Sequence, residues 1–278
     1  MAIRIVVGVR PSAASERAVW WAVDQARSRE ATLELVTVVG GAVGVVGEDA
    51  VVADALDAAR SHLDEYAAQI RDAGVAVRIR LEAGNPVDVL VDASAGAEML
   101  VLGSDYQGGD EARGFHGIRI TAAAECPVVV VPNIDLAGRS GVVVGVDGSE
   151  TSAAALKFAA GEAARARESM TAVCVWSPLT PPRFGFMGYE ESYLANMQAT
   201  TEETLAIALA GVAADYPDLD VTRVVENGYP SSVINRLAST ARLAVVGSHG
   251  RGTFRRFLLG SISQEVISRP ATATVVVK

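Results

Sequence analysis

Glycine and serine residues occur between residues 247 and 261 (GSHGRGTFRRFLLGS) in a pattern that suits the binding of an anion. Gly247 and Gly250 carry no side chain, so the backbone there can approach an anion closely and expose its N–H groups. Gly260 and Ser261 open a predicted helix, where free N–H groups and the helix dipole both favour negative charge. The alternative interpretation is a glycine-rich turn followed by a capped helix.

Three arginines of the same stretch, Arg251, Arg255 and Arg256, concentrate positive charge in a chain whose formal net charge is −9. Together with the glycines they predict a cradle for a polyphosphate. The chain contains no G-x-x-x-x-G-K-[ST] loop, and no G-x-G-x-x-G follows the first predicted strand of either half. A P-loop and a dinucleotide-binding fold are therefore not expected.

The histidines and cysteines predict neither a catalytic centre nor a metal site. His249 lies between two of the glycines, but the sequence shows no neighbouring carboxylate that would orient it for acid–base catalysis. His62 and His116 are isolated and are read as surface or helix residues. Cys126 and Cys174 lie in or beside apolar runs, which predicts two reduced, buried cysteines.

The composition narrows the class of protein. Half of the 278 residues are hydrophobic and the mean hydropathy is +0.28, yet no apolar run approaches the roughly 20 residues of a membrane-spanning helix. The acidic charge argues against a nonspecific nucleic-acid binder, which needs a basic face. Arg10 interrupts the first apolar run too early for a secretory signal, so a cytoplasmic location is expected, with no membrane partner.

The sequence contains a long internal repeat. IVVGVRPS at 5–12 recurs as VVVGVDGS at 142–149, EAGNP at 82–86 as ENGYP at 226–230, and AEMLVLGS at 97–104 as ARLAVVGS at 241–248. Three matches in the same order indicate a tandem duplication of a whole domain. We therefore predict two domains, residues 1–132 and 141–278, joined by a polar linker at Asn133–Ser140.

Each half alternates short valine-rich runs with longer amphipathic stretches. In the second half the predicted strands are Gly141–Asp147, Thr171–Trp176, Asp220–Glu226, Leu243–Gly247 and Ala273–Val277. The predicted helices are Ser152–Arg167, Glu190–Asp215, Pro230–Ser239 and Ser261–Ser268. Strands without polar alternation, joined by helices, predict two α/β domains, each with a doubly wound parallel sheet. In such sheets ligands bind beyond the carboxyl ends of the strands.

The motif Gly247-x2-Gly250-x9-Gly260-Ser261, with Asp147 at the end of the first strand of its domain, resembles the ATP-binding pattern of universal stress proteins. The resemblance extends over nearly the whole chain. It implies a five-stranded parallel sheet in the order 3-2-1-4-5 in each domain, and ATP as the ligand, with Mg²⁺ or Mn²⁺ accompanying the phosphates.

The resemblance also assigns roles to individual residues. Asp147 would contact the nucleoside, or else the turn that contains it would only cap the following helix. Val175 would meet adenine through its backbone, while Ile262 would donate a backbone N–H. Ribose and phosphates would be held by the remaining residues of the motif, which are Gly247, Gly250, Gly260 and Ser261, and Arg251 is added to these for its charge. The loop Pro178–Tyr189 would cover the nucleotide or form an ordinary surface excursion.

The first half departs from this pattern. Arg10 stands where the second half has Asp147, and Tyr106 stands opposite Gly250. The residue of the first half that corresponds to Gly260 is His116 or Gly114, depending on the alignment, and neither alignment restores the motif. We therefore expect the first domain to have lost ATP binding; the alternative is that Arg10 recognises another anion.

Assembly and function follow as expectations. The last strand of each domain, Val128–Val131 and Val275–Val277, is apolar and lies at a sheet edge in the implied order, so pairing of the two within one chain is expected. A homodimer is expected in addition. The predicted function is a stress-response sensor or regulator that binds one ATP in its second domain. The alternatives are a slow ATPase that uses Arg251, Arg255 or Arg256, and a scaffold without nucleotide.

Overall fold

Valine-rich segments of the chain form the strands of parallel sheets, and amphipathic segments form the helices between them. The computed structural model describes residues 3–40, 48–107, 115–178, 188–250 and 259–278. The chain divides into two compact units, Met1–Asp135 and Leu136–Lys278. Within the described ranges, no helix is both long and apolar enough to cross a membrane.

The first unit alternates strands and helices from its start. Its described elements are β1 (Arg4–Gly8), α1 (Ala13–Arg29), β2 (Thr32–Val39), α2 (Glu48–Asp72), β3 (Val77–Ala83), α3 (Pro86–Ser94), β4 (Met99–Ser104), α4 (Phe115–Ala123) and β5 (Val128–Pro132). The strands are parallel and lie in the order β3-β2-β1-β4-β5.

The second unit repeats this arrangement. Its described elements are β6 (Val142–Gly145), α5 (Glu150–Ala166), β7 (Met170–Trp176), α6 (Glu191–Asp215), β8 (Val221–Asn227), α7 (Pro230–Ala238), β9 (Leu243–Gly247), α8 (Ser261–Ser268) and β10 (Ala273–Val277). The strands are again parallel, in the order β8-β7-β6-β9-β10. The predicted α/β class with doubly wound parallel sheets is confirmed.

Several predicted boundaries of the second unit differ from the structure by one or two residues, and the one that matters for the site is the end of the first strand. The first strand of the second unit was expected to reach Asp147, but β6 ends at Gly145. The backbone turns at Gly148, whose φ of +80° is a left-handed conformation that glycine adopts without steric cost. Asp147 therefore lies in the turn between β6 and α5 rather than in the strand.

Burial on both faces explains the valine-rich strands. All residues of β5, β9 and β10 are buried, and so are the central residues of β1 and β6. Parallel strands covered by helices on both faces need apolar side chains on both faces, which removes the polar alternation of a half-exposed strand. Cys126 and Cys174 are buried, as predicted, and neither takes part in a disulfide bond within the described residues.

The first helix of each unit begins and ends in the same way. Ser12 and Ser149 are the N-caps, and their hydroxyls accept hydrogen bonds from the backbone nitrogens of Ser15 and Ser152. Glu30 and Arg167 end the helices with left-handed backbone conformations, at φ values of 52° and 56°. The duplicated units thus keep the same local start and stop signals.

The fourth strand of each unit packs closely against the N-terminus of that unit's first helix. A β-carbon added at Gly103 in β4 would collide with the backbone of Ala14 and lie 2.8 Å from the nitrogen of Ser15. A β-carbon added at Gly247 in β9 would lie 2.8 Å from the carbonyl carbon of Thr151. Backbone atoms cannot move aside as a flexible side chain can, so both positions require glycine.

This close approach predicts the effect of a single methyl group. Gly103→Ala is expected to lower the free energy of unfolding by about 1–3 kcal/mol, because the new methyl overpacks the strand–helix contact. Gly117→Ala in α4 is the matched control, since nothing lies within 4 Å of its added β-carbon. That control is expected to leave stability unchanged or raise it by up to about 1 kcal/mol. Equal stabilities of the two variants in urea denaturation would contradict the argument.

Candidate functional site

A cavity of about 500 Å³ opens in the second unit beyond the carboxyl ends of β6, β7 and β9. β6 pairs with β7 on one side and with β9 on the other, so the chain connections leave in opposite directions at this point. Ligands of doubly wound sheets bind at such a switch point. The volume lies within the range of pockets that hold small molecules.

Seven of the eight predicted site residues line this cavity. They come from the β6–α5 turn, from β7, from β9 and its following loop, and from the start of α8: Asp147, Val175, Gly247, Gly250, Gly260, Ser261 and Ile262. The eighth, Arg251, lies outside the described residues, as do Arg255 and Arg256. The same holds for most of the Pro178–Tyr189 loop.

Asp147 is held in place by the residue that caps the next helix. Its Oδ1 accepts hydrogen bonds from the backbone nitrogen of Ser149 at 2.9 Å and from the Ser149 hydroxyl at 2.6 Å. Ser149, not Asp147, supplies the N-cap of α5, because its Oγ accepts from the Ser152 nitrogen at 3.2 Å. The Asp147 carboxylate lines the cavity and belongs to the capping turn through Ser149.

Gly250 has no side chain, and the Asp147 carboxylate occupies the space that a side chain there would fill. A β-carbon added at Gly250 would lie 2.7 Å from the Asp147 Oδ2 atom. The absence of a side chain at Gly250 therefore leaves room for the carboxylate of Asp147. This requirement is additional to the close backbone approach to an anion that the sequence pattern predicts.

The loop after β9 is tied to the start of α5. The Thr151 hydroxyl donates a hydrogen bond to the His249 carbonyl oxygen. The His249 ring lines the cavity, with Nδ1 3.1 Å from the Ser248 hydroxyl. Its Nε2 is buried and has no hydrogen-bond partner among the described residues.

The N-terminus of α8 forms one wall of the cavity. Gly260 is the N-cap, and its nitrogen donates to the Ser248 carbonyl at 2.8 Å. An added β-carbon at Gly260 would lie 3.1 Å from that same oxygen. Gln264 is the first residue whose N–H bonds back into the helix, to the Gly260 carbonyl. The N–H groups of the first turn have no acceptor within the helix, which makes this wall suitable for an anion.

Ser263 anchors this helix start to the sheet. Its hydroxyl donates a hydrogen bond to the Gly247 carbonyl at 2.5 Å, and the residue itself is buried. The last residue of β9 and the first turn of α8 are thereby joined directly. The position of the exposed helix N–H groups relative to β9 is thus determined by hydrogen bonds at both Gly260 and Ser263.

Apolar side chains form much of the rest of the wall, and the sequence did not identify them as site residues. They are Val146, Val173, Pro230, Ile234, Val246 and Leu259. Pro230 belongs to the repeated ENGYP segment, and that repetition could have identified it as a candidate site residue. The valines and Ile234 carry no such signal, because apolar residues of a core and of a pocket wall look alike in sequence.

The corresponding region of the first unit carries different chemistry. The Arg10 guanidinium forms an ion pair with Asp105, and their side chains are 57% and 42% exposed. By the repeat, Arg10 corresponds to Asp147 and Asp105 to His249. Leu102 takes the place of Val246 and packs in a buried cluster with Leu90. The carboxylate of the second unit is thus replaced by a cation that is paired within the protein.

Metal-ligating side chains are not clustered in the described ranges. Within them, no group of three or more His, Cys, Asp and Glu residues is arranged to hold a metal ion.

Comparisons with known proteins are consistent along the whole chain. A sequence model of the universal stress protein family matches residues 1–132 and 139–278. A universal stress protein of Mycolicibacterium smegmatis is 33% identical over 289 residues, covering 99% of this chain and 96% of that protein. One from Mycobacterium tuberculosis is 32% identical over 296 residues, with coverages of 99% and 96%. The solved structure of an Archaeoglobus fulgidus universal stress protein has a TM-score of 0.72 and 20% identity. It covers 99% of this chain and 98% of its own, so the fold is shared.

Proposed function

Because this chain belongs to the universal stress protein family, we propose that its second unit binds one molecule of ATP and that the bound nucleotide regulates the protein. The observation that carries the proposal is one cavity at the β6–β9 switch point that gathers Asp147, Val175 and the start of α8. A carboxylate, an apolar wall and helix N–H groups without an acceptor in their own helix are the three kinds of group that a nucleoside phosphate needs.

Each part of the nucleotide has a matching wall. Val146 and Ile234 provide an apolar slot for the adenine base, and the backbone of Val175 meets the base through its polar groups. Asp147, oriented by Ser149, accepts hydrogen bonds from the ribose hydroxyls. The N–H groups of Ser261 and Ile262 receive the phosphates at the N-terminus of α8, where the helix dipole is favourable. Mg²⁺ or Mn²⁺ enters with the phosphate oxygens.

The first unit binds no ATP in this proposal. Arg10 cannot accept a hydrogen bond from a ribose hydroxyl, since a guanidinium has only donors. Its partner Asp105 places negative charge beside the region where phosphates would lie. Tyr106 occupies the position that is equivalent to Gly250 in the repeat, and it adds a side chain there. Two units of one fold therefore provide a single nucleotide site.

Regulation follows from the linkage between binding and stability. At a free ATP concentration 100-fold above Kd, binding adds about 2.7 kcal/mol to the free energy of unfolding. That is a large share of the stability of a typical domain. Nucleotide occupancy thereby changes the stability of the second unit, and with it homodimer assembly or contacts with other proteins.

The first test measures the ligand and its stoichiometry. Mass spectrometry of nucleotides released from freshly purified protein, together with calorimetry, is expected to give one ATP per chain. Gly260→Val is expected to abolish binding, because its side chain would strike the Ser248 carbonyl and the His249 backbone. Gly117→Val, near the start of α4, is the control that should bind normally. Absence of ATP from the wild-type chain, or normal binding by Gly260→Val, would refute the site.

A second test uses two equivalent helix caps. Ser149→Ala and Ser12→Ala each remove an N-cap and are each expected to cost about 1 kcal/mol in the free energy of unfolding. Only the Ser149 hydroxyl also bonds to Asp147, so only Ser149→Ala is expected to weaken ATP binding, by roughly tenfold for one lost hydrogen bond to a carboxylate. Equal affinities of the two variants would show that the Ser149 hydroxyl does not orient Asp147 for binding.

A third test separates a regulator from an ATPase. Incubation of the purified chain with ATP and Mg²⁺ is expected to release no phosphate beyond the buffer control. Turnover that Arg251→Ala abolishes while ATP still binds would assign the chain to the enzymes instead.

A further inference from the structure

We propose that Glu265 of α8, with Tyr229 and Ser231 at the start of α7, sets the position of the α8 N-terminus and thereby the protein's preference for phosphorylated over unphosphorylated nucleosides. The inference deepens the proposed function and rests on it. The three side chains form the Glu265 clamp, and none of them lines the cavity.

The clamp joins two helices whose first residues both line the cavity. Both carboxylate oxygens of Glu265 accept hydrogen bonds, from the Tyr229 hydroxyl at 2.7 Å and from the Ser231 hydroxyl at 2.8 Å. Pro230, between the two donors, lines the cavity, as does Ile262, one turn before Glu265 on α8. A change in the clamp therefore moves the two walls relative to each other.

The start of α7 depends on this clamp in a way that its counterpart does not. In the first unit Asn85 caps α3 itself, because its side-chain oxygen accepts from the Val87 nitrogen at 3.0 Å. Tyr229 takes the same place before α7 and makes no side-chain capping bond. The negative charge that favours a helix N-terminus comes instead from Glu265 on the neighbouring helix. The second unit has replaced a local cap by a contact between helices.

The state of the tyrosine supports the clamp at physiological pH. The hydrogen bond to Glu265 raises the pKa of Tyr229 above its usual value. The phenol thus remains protonated and continues to donate at neutral pH.

The clamp acts on the phosphates more than on the base. The N–H groups that receive phosphate lie on Ser261 and Ile262, one turn before Glu265 on the same helix. The base lies against Val146, Val175 and Ile234, and none of the three clamp side chains lines the cavity. Loss of the clamp is therefore expected to weaken the binding of ATP while leaving the binding of adenosine nearly unchanged.

The test is a calorimetric comparison of ATP and adenosine, at one salt concentration, for the full chain and its variants. The measured quantity is the ratio of the adenosine Kd to the ATP Kd. Glu265→Ala removes both hydrogen bonds and is expected to lower this ratio roughly tenfold. Tyr229→Phe removes one bond and is expected to lower it less. Glu265→Gln keeps an acceptor for Tyr229 and a donor for Ser231, so it should restore the wild-type ratio.

A matched control removes another bond between the same helices. The Asn235 side-chain amide of α7 donates to the Arg269 carbonyl at the end of α8, at 3.0 Å. Asn235→Ala is expected to lower the thermal midpoint of unfolding without changing the ratio. An equal fall of the ratio in Asn235→Ala and Glu265→Ala would overturn the inference, since any loosening of the helix pair would then suffice.

The remaining outcomes are equally decisive. An unchanged ratio in Glu265→Ala, with ATP still bound, overturns the clamp but leaves the proposed function standing. A rise of the ratio in both Glu265→Ala and Glu265→Gln would mean that the glutamate acts only by repelling phosphate, which also overturns it. A wild-type chain that binds neither ligand overturns the proposed function and the clamp together.

Discussion

The close approach of the fourth strand to the first helix is the constraint on which each unit depends. At Gly247 the sheet backbone nearly touches the backbone of Thr151, and at Gly103 it does the same with Ala14 and Ser15. A side chain at either position would force the helix away from the sheet. Because the helix start is held so near the strand end, the loop after β9 lies beside the turn after β6. Asp147 and Gly250 become neighbours only for this reason.

Comparison of the two units separates the glycines of the fold from those of the site. Gly103 and Gly247 are equivalent and satisfy the same steric requirement, whether or not a ligand binds. Gly250 has no equivalent glycine, since Tyr106 occupies that place in the first unit, and its small size serves the Asp147 carboxylate. Duplication thus preserved the residues that packing requires, and it left the loops beyond the strand ends free to diverge.

The cavity of the second unit is built from elements that are coupled to one another. Ser149 caps α5 and also fixes Asp147; Ser263 joins α8 to β9; Glu265 joins α8 to the start of α7. A nucleotide that contacts Asp147 and the N-terminus of α8 therefore bears on several helices at once. This coupling gives a physical route by which occupancy of the site changes the stability of the whole unit.

The local elements and the repeat could be predicted from the order of residues alone. Runs of valine marked the buried strands, and three repeated segments marked the duplication. The sequence also singled out the residues of one motif, seven of which line one cavity. It did not find Ile234 or Val246 as wall residues, nor the pairing of Tyr229 with Glu265. These wall residues and this pairing are visible only in the folded chain. Contacts between distant elements depend on strand order and on backbone approach, which no short stretch of sequence encodes.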